Sequence, residues 1–199
     1  LPQKHIVDRN LDAVTSLGIR NDGKGLEYFI AETDKVDLTD FFDTANPPVY
    51  VAFVIGAAHA TKRLPTEKII DICRKANRTI VLLGGPGEKE EGEHIAKEAG
   101  EHVINACGKL RLNQSASVVA QADVVVTHDT GLMHIAAAYQ KRIISIWGNT
   151  IPEFGMYPYY AEGQTDHALF EVKGLSCRPC SKIGHKKCPK KHFDCMQQI

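Results

Sequence analysis

A chain of 199 residues, 43% hydrophobic and 24% charged, is long enough for one well-buried domain with a small appendage, and too short for a second full domain. Its 24 basic residues balance 24 acidic ones, which removes bulk charge as a reason to bind nucleic acid. No apolar run approaches the roughly 18 to 20 residues of a spanning helix, and no basic-then-apolar export signal opens the chain, so the expectation is a soluble cytoplasmic protein.

Residues 1–17 read as a moderately amphipathic helix with Ile6, Val7, Leu11, Val14 and Leu17 as its apolar set and Gly18 as its stop. The stretch 19–48 is polar and acidic, has no sustained period and closes on Pro47 and Pro48. It is expected to be irregular, either with one short strand at 28–30 or with no regular element. From Val49 the pattern becomes regular. Apolar runs at 49–55, 79–83, 102–104, 123–127 and 143–147 predict strands, and amphipathic segments at 65–76, 88–99, 112–121 and 131–139 predict helices between them. That alternation implies an α/β fold, a Rossmann-like parallel sheet with helices on both faces and right-handed crossovers. Cys73 and Cys107 sit singly inside periodic segments and read as buried small hydrophobes.

The polar turns after the strands carry the candidate chemistry, because ligands of open parallel sheets bind at the carboxyl ends of the strands. In Gly56-Ala57-Ala58-His59-Ala60-Thr61-Lys62-Arg63-Leu64-Pro65 two cations stand at that edge. Lys62 there can neutralise a diphosphate, or it is a solvated loop charge. In Gly84-Gly85-Pro86-Gly87-Glu88-Lys89-Glu90-Glu91 the carboxylates fall in a first helical turn, where the dipole favours them. The glycine spacing is not the Gly-x-Gly-x-x-Gly dinucleotide fingerprint. Next, Gly108 is expected to make a turn, and packing within the core is the common fate of a leucine such as Leu110.

The strand-to-helix turn Thr127-His128-Asp129-Thr130-Gly131-Leu132-Met133-His134 is the sharpest feature. Gly131 lets a ligand approach the backbone, the first helical amides favour an anion, and His134 can face the same crevice as Asp129. Alternatively, Asp129 and Thr130 only cap the helix and His134 is a packed core histidine. Further on, Thr150 either bonds a phosphate or caps its own turn. In the tail, Cys177, Cys180, Cys188 and Cys195 are compatible with a structural Zn²⁺, with two disulfides in any of three pairings, or with free thiols. The last residues, to Ile199, look like a helix still running. Neither a paired-carboxylate glycosidase site nor a Gly-x-Ser-x-Gly nucleophile turn is evident.

Asp129 to Ala138, the Gly-Ala…Thr61-Lys62-Arg63 loop, the Gly84-Gly85-Pro86-Gly87 turn, Gly108-Lys109 and the Gly148-Asn149-Thr150 turn occur in the order in which similar motifs occur in glycosyltransferase family 9, the heptosyltransferases of lipopolysaccharide synthesis. The chain resembles the carboxyl-terminal, donor-binding half of that family from about residue 4 onward. Leu64 departs from the family's usual Trp, which puts the packing beneath that loop in doubt. The resemblance implies the second domain of a GT-B fold, with residues 1–48 as interdomain helix and connection, 49–174 as the nucleotide-sugar-binding domain and 175–199 as its cysteine-rich tail.

The resemblance also implies roles. Lys62 and the amides of Thr130 and Gly131 meet the donor's phosphates. One of Glu88, Glu90 and Glu91 meets its ribose, Asp129 its sugar hydroxyls, and His134 the sugar or a phosphate. The donor is a nucleotide-diphosphate sugar resembling ADP-heptose, with no cofactor required. The acceptor is a lipid-linked saccharide held by an amino-terminal domain that also supplies the general base of an inverting transfer. This implies a chain that binds without turnover, in an enzyme at the inner face of the bacterial inner membrane with peripheral membrane association. Two other classes stay open: a GT-B nucleotide-sugar epimerase and a binding module without chemistry.

Overall fold

A computed structural model describes residues 1–42, 44, 46–164 and 166–199, the side chain of residue 40 excepted. Six strands, β1 (Tyr50–Val54), β2 (Thr79–Leu83), β3 (Val103–Asn105), β4 (Val124–His128), β5 (Arg142–Trp147) and β6 (His167–Glu171), pair in parallel in the order β3-β2-β1-β4-β5-β6. This is the doubly wound order, and the chain reverses direction across the sheet between β1 and β4, where Val51 pairs with Val124 and Phe53 with Val126.

Residues alternate faces along each strand, so each central strand feeds two cores. Ala52, Val54, Val81 and Leu83 point to one face and pack against Val118 and Val119 of α5 (Leu112–Gln121) and Met133, Ala136 and Ala137 of α6 (Gly131–Ala138). Phe53, Ile55, Ile80 and Leu82 point to the other, against Ile69, Ile70 and Cys73 of α3 (Thr66–Lys75) and Ile95 of α4 (Lys89–Ala99). Two-sided burial explains why these strands read as continuous apolar runs. Burial also pushes the Cys73 and Cys107 thiols up to about 12.

Three expectations need correction, and one open alternative is decided. The sheet has a sixth strand that the sequence hides: in β6 every second residue is exposed, and Phe170 is 50% exposed. An edge strand paired on one side needs no apolar run. The helix expected over 1–17 is shorter, α1 (Ile6–Asp12), followed by a 3₁₀ turn at Thr15–Leu17 that ends on Gly18 at φ +80°. None of its residues is fully buried, so little holds a longer helix together. Residues 28–30 form no strand; the segment lies over α5, with the Tyr28 hydroxyl donating to Asn113 (2.8 Å) and the Val36 amide to Ser117 Oγ (2.9 Å). Past it, Phe41 and Phe42 of the single-turn α2 (Thr39–Phe42) pack on the α5–α6 core. The terminal helix is also a single turn, α7 (Asp194–Gln197), ending at Gln198. Among the described residues no helix is long and apolar enough to cross a membrane.

Candidate functional site

The reversal between β1 and β4 opens a cleft of about 760 Å³ at the carboxyl ends of β1, β2 and β4. Gly56, Ala57 and Ala58 form one wall, Gly84, Gly85, Pro86 and Glu88 another; Thr130, Gly131 and Leu132 close the side at the start of α6, and Leu110, Arg111, Leu112 and Ser115 the far end. The walls are mostly backbone and small side chains. Gly108, at φ +71° with Pro86 Cα 3.2 Å from where a Cβ would stand, makes the turn that brings residues 110–112 to the cleft.

At the start of α6 neither candidate cap caps. Thr130 is the N-cap residue, yet its hydroxyl is bonded to Thr127 Oγ1 (3.1 Å) and makes no capping bond among the described residues. Asp129 turns away from the helix: its Oδ2 accepts from Lys62 Nζ at 2.6 Å and from Thr150 Oγ1 at 2.9 Å. The amides of Gly131 and Leu132 have no acceptor inside the helix, and both residues line the cleft, so the partial positive end of α6 borders it. A Cβ at Gly131 would meet no atom within 4 Å, so packing does not require glycine there.

Lys62 reaches the same turn. Its ammonium also lies 3.5 Å from the Asp129 carbonyl, immediately before Thr130, so cation and helix amides share one rim. The Lys62–Asp129 pair is largely buried, at 15% and 10% side-chain exposure. Lys62, Asp129 and Thr150 form a cluster beside the cleft and are not among its lining residues. His134, one helical turn into α6, belongs to that neighbourhood: burial lowers its pKa, the Asp129 charge opposes this, and His5 and Lys62 lower it further. It is half-buried and favours the neutral ring.

The three glutamates separate. Glu88 stands on the cleft wall with both oxygens engaged, accepting from Arg63 Nη1 (3.1 Å) and from the Gly85 amide (2.8 Å). Glu91 accepts from the Thr66 hydroxyl (2.6 Å), outside the cleft. Glu90 is exposed and does not line the cleft.

Two positioning residues were not anticipated. His128, fully buried at the end of β4, accepts the Leu64 amide through Nε2 (3.0 Å) and so ties the Lys62 loop to the strand that leads into Asp129. Burial, helped by the Arg63 charge, pushes its pKa down to about 4. Arg178, between two tail cysteines, donates to the carbonyls of Gly148, Thr150 (2.9 Å), Trp147 (3.4 Å) and Val172 (3.3 Å), and pairs with Glu171 at 2.7 Å. That pair is 6% and 8% exposed, and it fixes the loop that presents Thr150. A buried histidine inside an apolar run and an arginine inside Cys-x-x-Cys carry no signal of such roles in the sequence.

Leu64, the departure from the family pattern, is 3% exposed and packs in the α3–α4 core, beside an apolar trough of about 410 Å³ that Ile72, Ile144 and Phe170 also line. All six cysteines are free, the four of the tail included. Burial and the neighbouring Cys180, Cys188 and Cys177 push Cys195 up to about 11. Among the described residues no group of three or more His, Cys, Asp or Glu is placed to hold a metal ion. The tail adheres to the domain: Cys195 and Met196 enter the α3–α4 core, and Met196 packs on Gly148, where a Cβ would lie 2.6 Å from its methyl.

A family model described as glycosyltransferase family 9 (heptosyltransferase) matches residues 1–191. The lipooligosaccharide heptosyltransferase 2 of Haemophilus influenzae is 33% identical over 142 residues, covering 67% of this chain and 40% of the relative. The lipopolysaccharide heptosyltransferase 2 of Escherichia coli is 26% identical over 133 residues, covering 63% and 38%. Among solved structures, the glycosyl transferase family 9 protein from Veillonella parvula matches 100% of this chain and 57% of its own, with a TM-score of 0.76 at 21% identity, a likeness of fold. The E. coli heptosyltransferase WaaC with ADP matches 85% of this chain and 51% of its own, with a TM-score of 0.62 at 27% identity. The chain thus spans about two fifths of the curated relatives' length and just over half of the solved ones'.

Proposed function

The chain belongs to glycosyltransferase family 9, and from that premise we propose that it is the part of an inverting heptosyltransferase that binds the nucleotide-diphosphate sugar, in lipopolysaccharide core synthesis. One observation carries the reading: the uncapped amides of α6 and the Lys62 ammonium converge on the rim of a cleft at the β1–β4 reversal. Amide hydrogens and one buried cation suit a diphosphate, and they suit best the charge that develops on it as the sugar departs.

In this reading the nucleoside lies along the cleft toward Leu110, Arg111 and Leu112, with Glu88 on the ribose side. The diphosphate meets Thr130, Gly131 and Lys62, with Thr150 as a further donor. Binding draws Lys62 from Asp129 toward the phosphates, and Asp129, freed, accepts from sugar hydroxyls with neutral His134 beside it. Adenine is the preferred base, because the structurally similar WaaC is solved with ADP. The acceptor hydroxyl and the carboxylate that takes its proton belong to an amino-terminal half, the acceptor being a lipid-linked saccharide at the inner face of the inner membrane. The chain by itself then binds donor without turnover.

Calorimetric titration with ADP, UDP and GDP tests this. The reading expects ADP to bind with the highest affinity and no sugar release from an ADP-sugar. An absence of binding by any nucleoside diphosphate contradicts it, and conversion of the sugar without acceptor would make the protein an epimerase.

A further inference from the structure

Between Glu171 and Asp194 the chain has no carboxylate, yet that stretch holds seven basic residues, Lys173, Arg178, Lys182, Lys186, Lys187, Lys190 and Lys191. The rest of the chain carries 17 basic against 24 acidic residues, so the zero net charge hides a strongly asymmetric molecule. Arg178 is consumed by Glu171. Lys182, Lys186, Lys187, Lys190 and Lys191 are all exposed, and none forms an ion pair among the described residues.

These lysines are held on a strap fixed to the site. The Thr61 hydroxyl accepts the His185 amide at 2.8 Å, and the Thr61 amide donates back to the His185 carbonyl at 3.2 Å, one residue before Lys62. Gly184, at φ +118°, lies so close to His59 that a Cβ would stand 2.6 Å from that side chain. Lys187, Cys188, Pro189, Lys191 and Phe193 line with Ala60 and Thr61 a pocket of about 560 Å³, mostly apolar and bordered by two lysines. At the neighbouring turn, Ser181 Oγ accepts the amides of Ile183 (3.2 Å) and Gly184 (2.7 Å) and presents Ile183 outward, 66% exposed, next to Lys182.

We propose that this strap is a membrane-contact surface that seats on anionic phospholipid, with a lipid phosphate in the pocket between Lys187 and Lys191 and Ile183 entering the headgroup layer. Flexible lysines with one protruding aliphatic residue are the equipment of an interface with a charged bilayer. A single-strand nucleic-acid groove would instead present exposed arginine and a row of stacking aromatics, whereas the strap's one arginine, Arg178, is buried on Glu171 and Phe193 is its one Phe, Tyr or Trp. Contact here brings the Lys62 loop to the bilayer surface, where a lipid-linked acceptor meets the donor; the purpose of the contact, though not the charge argument, rests on the donor-binding reading.

The test is co-sedimentation of the chain with vesicles of phosphatidylcholine, with and without phosphatidylglycerol, at low and high salt. Binding is expected only with phosphatidylglycerol, and high salt should release it. Replacing Lys186, Lys187, Lys190 and Lys191 by Gln should weaken it by up to about a thousandfold, and Ile183→Ser about threefold. Replacing the distant Lys24, Lys35, Lys75 and Lys97 by Gln removes equal charge and should leave it within about twofold. Failure of the unmodified chain to bind anionic vesicles at low salt overturns the proposal, even where a variant does not fold. Equal loss in the distant variant, or equally tight binding of tripolyphosphate or an oligonucleotide, overturns it too. ADP affinity should be unchanged in every strap variant, so a failed donor reading and a failed membrane reading show in different measurements.

Discussion

Gly131 separates what the fold needs from what a ligand needs. Its backbone is not in the left-handed region and a Cβ would meet nothing within 4 Å, so Gly131→Ala should leave the melting temperature unchanged or slightly raised. If a diphosphate sits on those amides, the same methyl group should lower ADP affinity about tenfold or more, since it occupies the space of the closest approach. A stability loss with affinity intact would mean that the glycine serves packing after all. Lys62→Ala removes the cation from the rim. A charged hydrogen bond is worth about 1.5–3 kcal/mol, so ADP should bind about ten to a hundred times more weakly, by calorimetry. His128 makes a pH prediction. Unfolded, it titrates near 6.5, while burial holds the native ring down to about 4. Above the higher value neither state carries the proton and the stabilisation is complete. As pH falls through that window the unfolded chain takes up a proton the native state refuses, and up to about 3 kcal/mol of stability is lost. Urea unfolding near neutrality and again at about pH 4.5 should show His128→Gln less pH-sensitive than the parent by that order.

Among the elements, the tail is held less by its cysteines than by Arg178. Its guanidinium gathers four carbonyls, one from the last residue of β5 and three from the segments after β5 and β6, and neutralises a buried Glu171. Arg178→Met leaves that carboxylate buried without a cation and should destabilise the chain by about 3 kcal/mol or more in urea unfolding. Adding Glu171→Leu should restore part of the loss and no more, because the carbonyls stay unpaired. Arg178→Lys should rescue little, since one ammonium cannot replace a planar fork. Elements buried on both faces, such as β1, β2 and β4, were legible because two cores impose a continuous apolar run. The His-Ala-Leu-Phe-Glu segment of β6 was not, since an edge strand owes its place to hydrogen bonds with β5 and not to its own burial. Likewise the turns were legible wherever glycine and charge coincide, as at Lys62 and at Asp129-Thr130-Gly131. That Asp129 holds Lys62 and leaves the helix uncapped depends on the meeting of two loops 67 residues apart, which local spacing cannot register.

At the scale of the whole molecule, a doubly wound sheet reverses once and opens one cleft at that reversal, while the tail crosses beside it and carries most of the unbalanced positive charge. Everything assigned to the donor follows from the meeting of the α6 amides with Lys62. The most direct measurement is an amide chemical-shift titration of the ¹⁵N-labelled chain with ADP. The account predicts that Thr130, Gly131, Leu132 and the 56–62 loop shift together, saturate with one affinity, and lose that response in Lys62→Ala. Shifts confined to other surfaces, such as the strap at 182–191 or the trough beside Leu64, with the start of α6 unmoved, would contradict it.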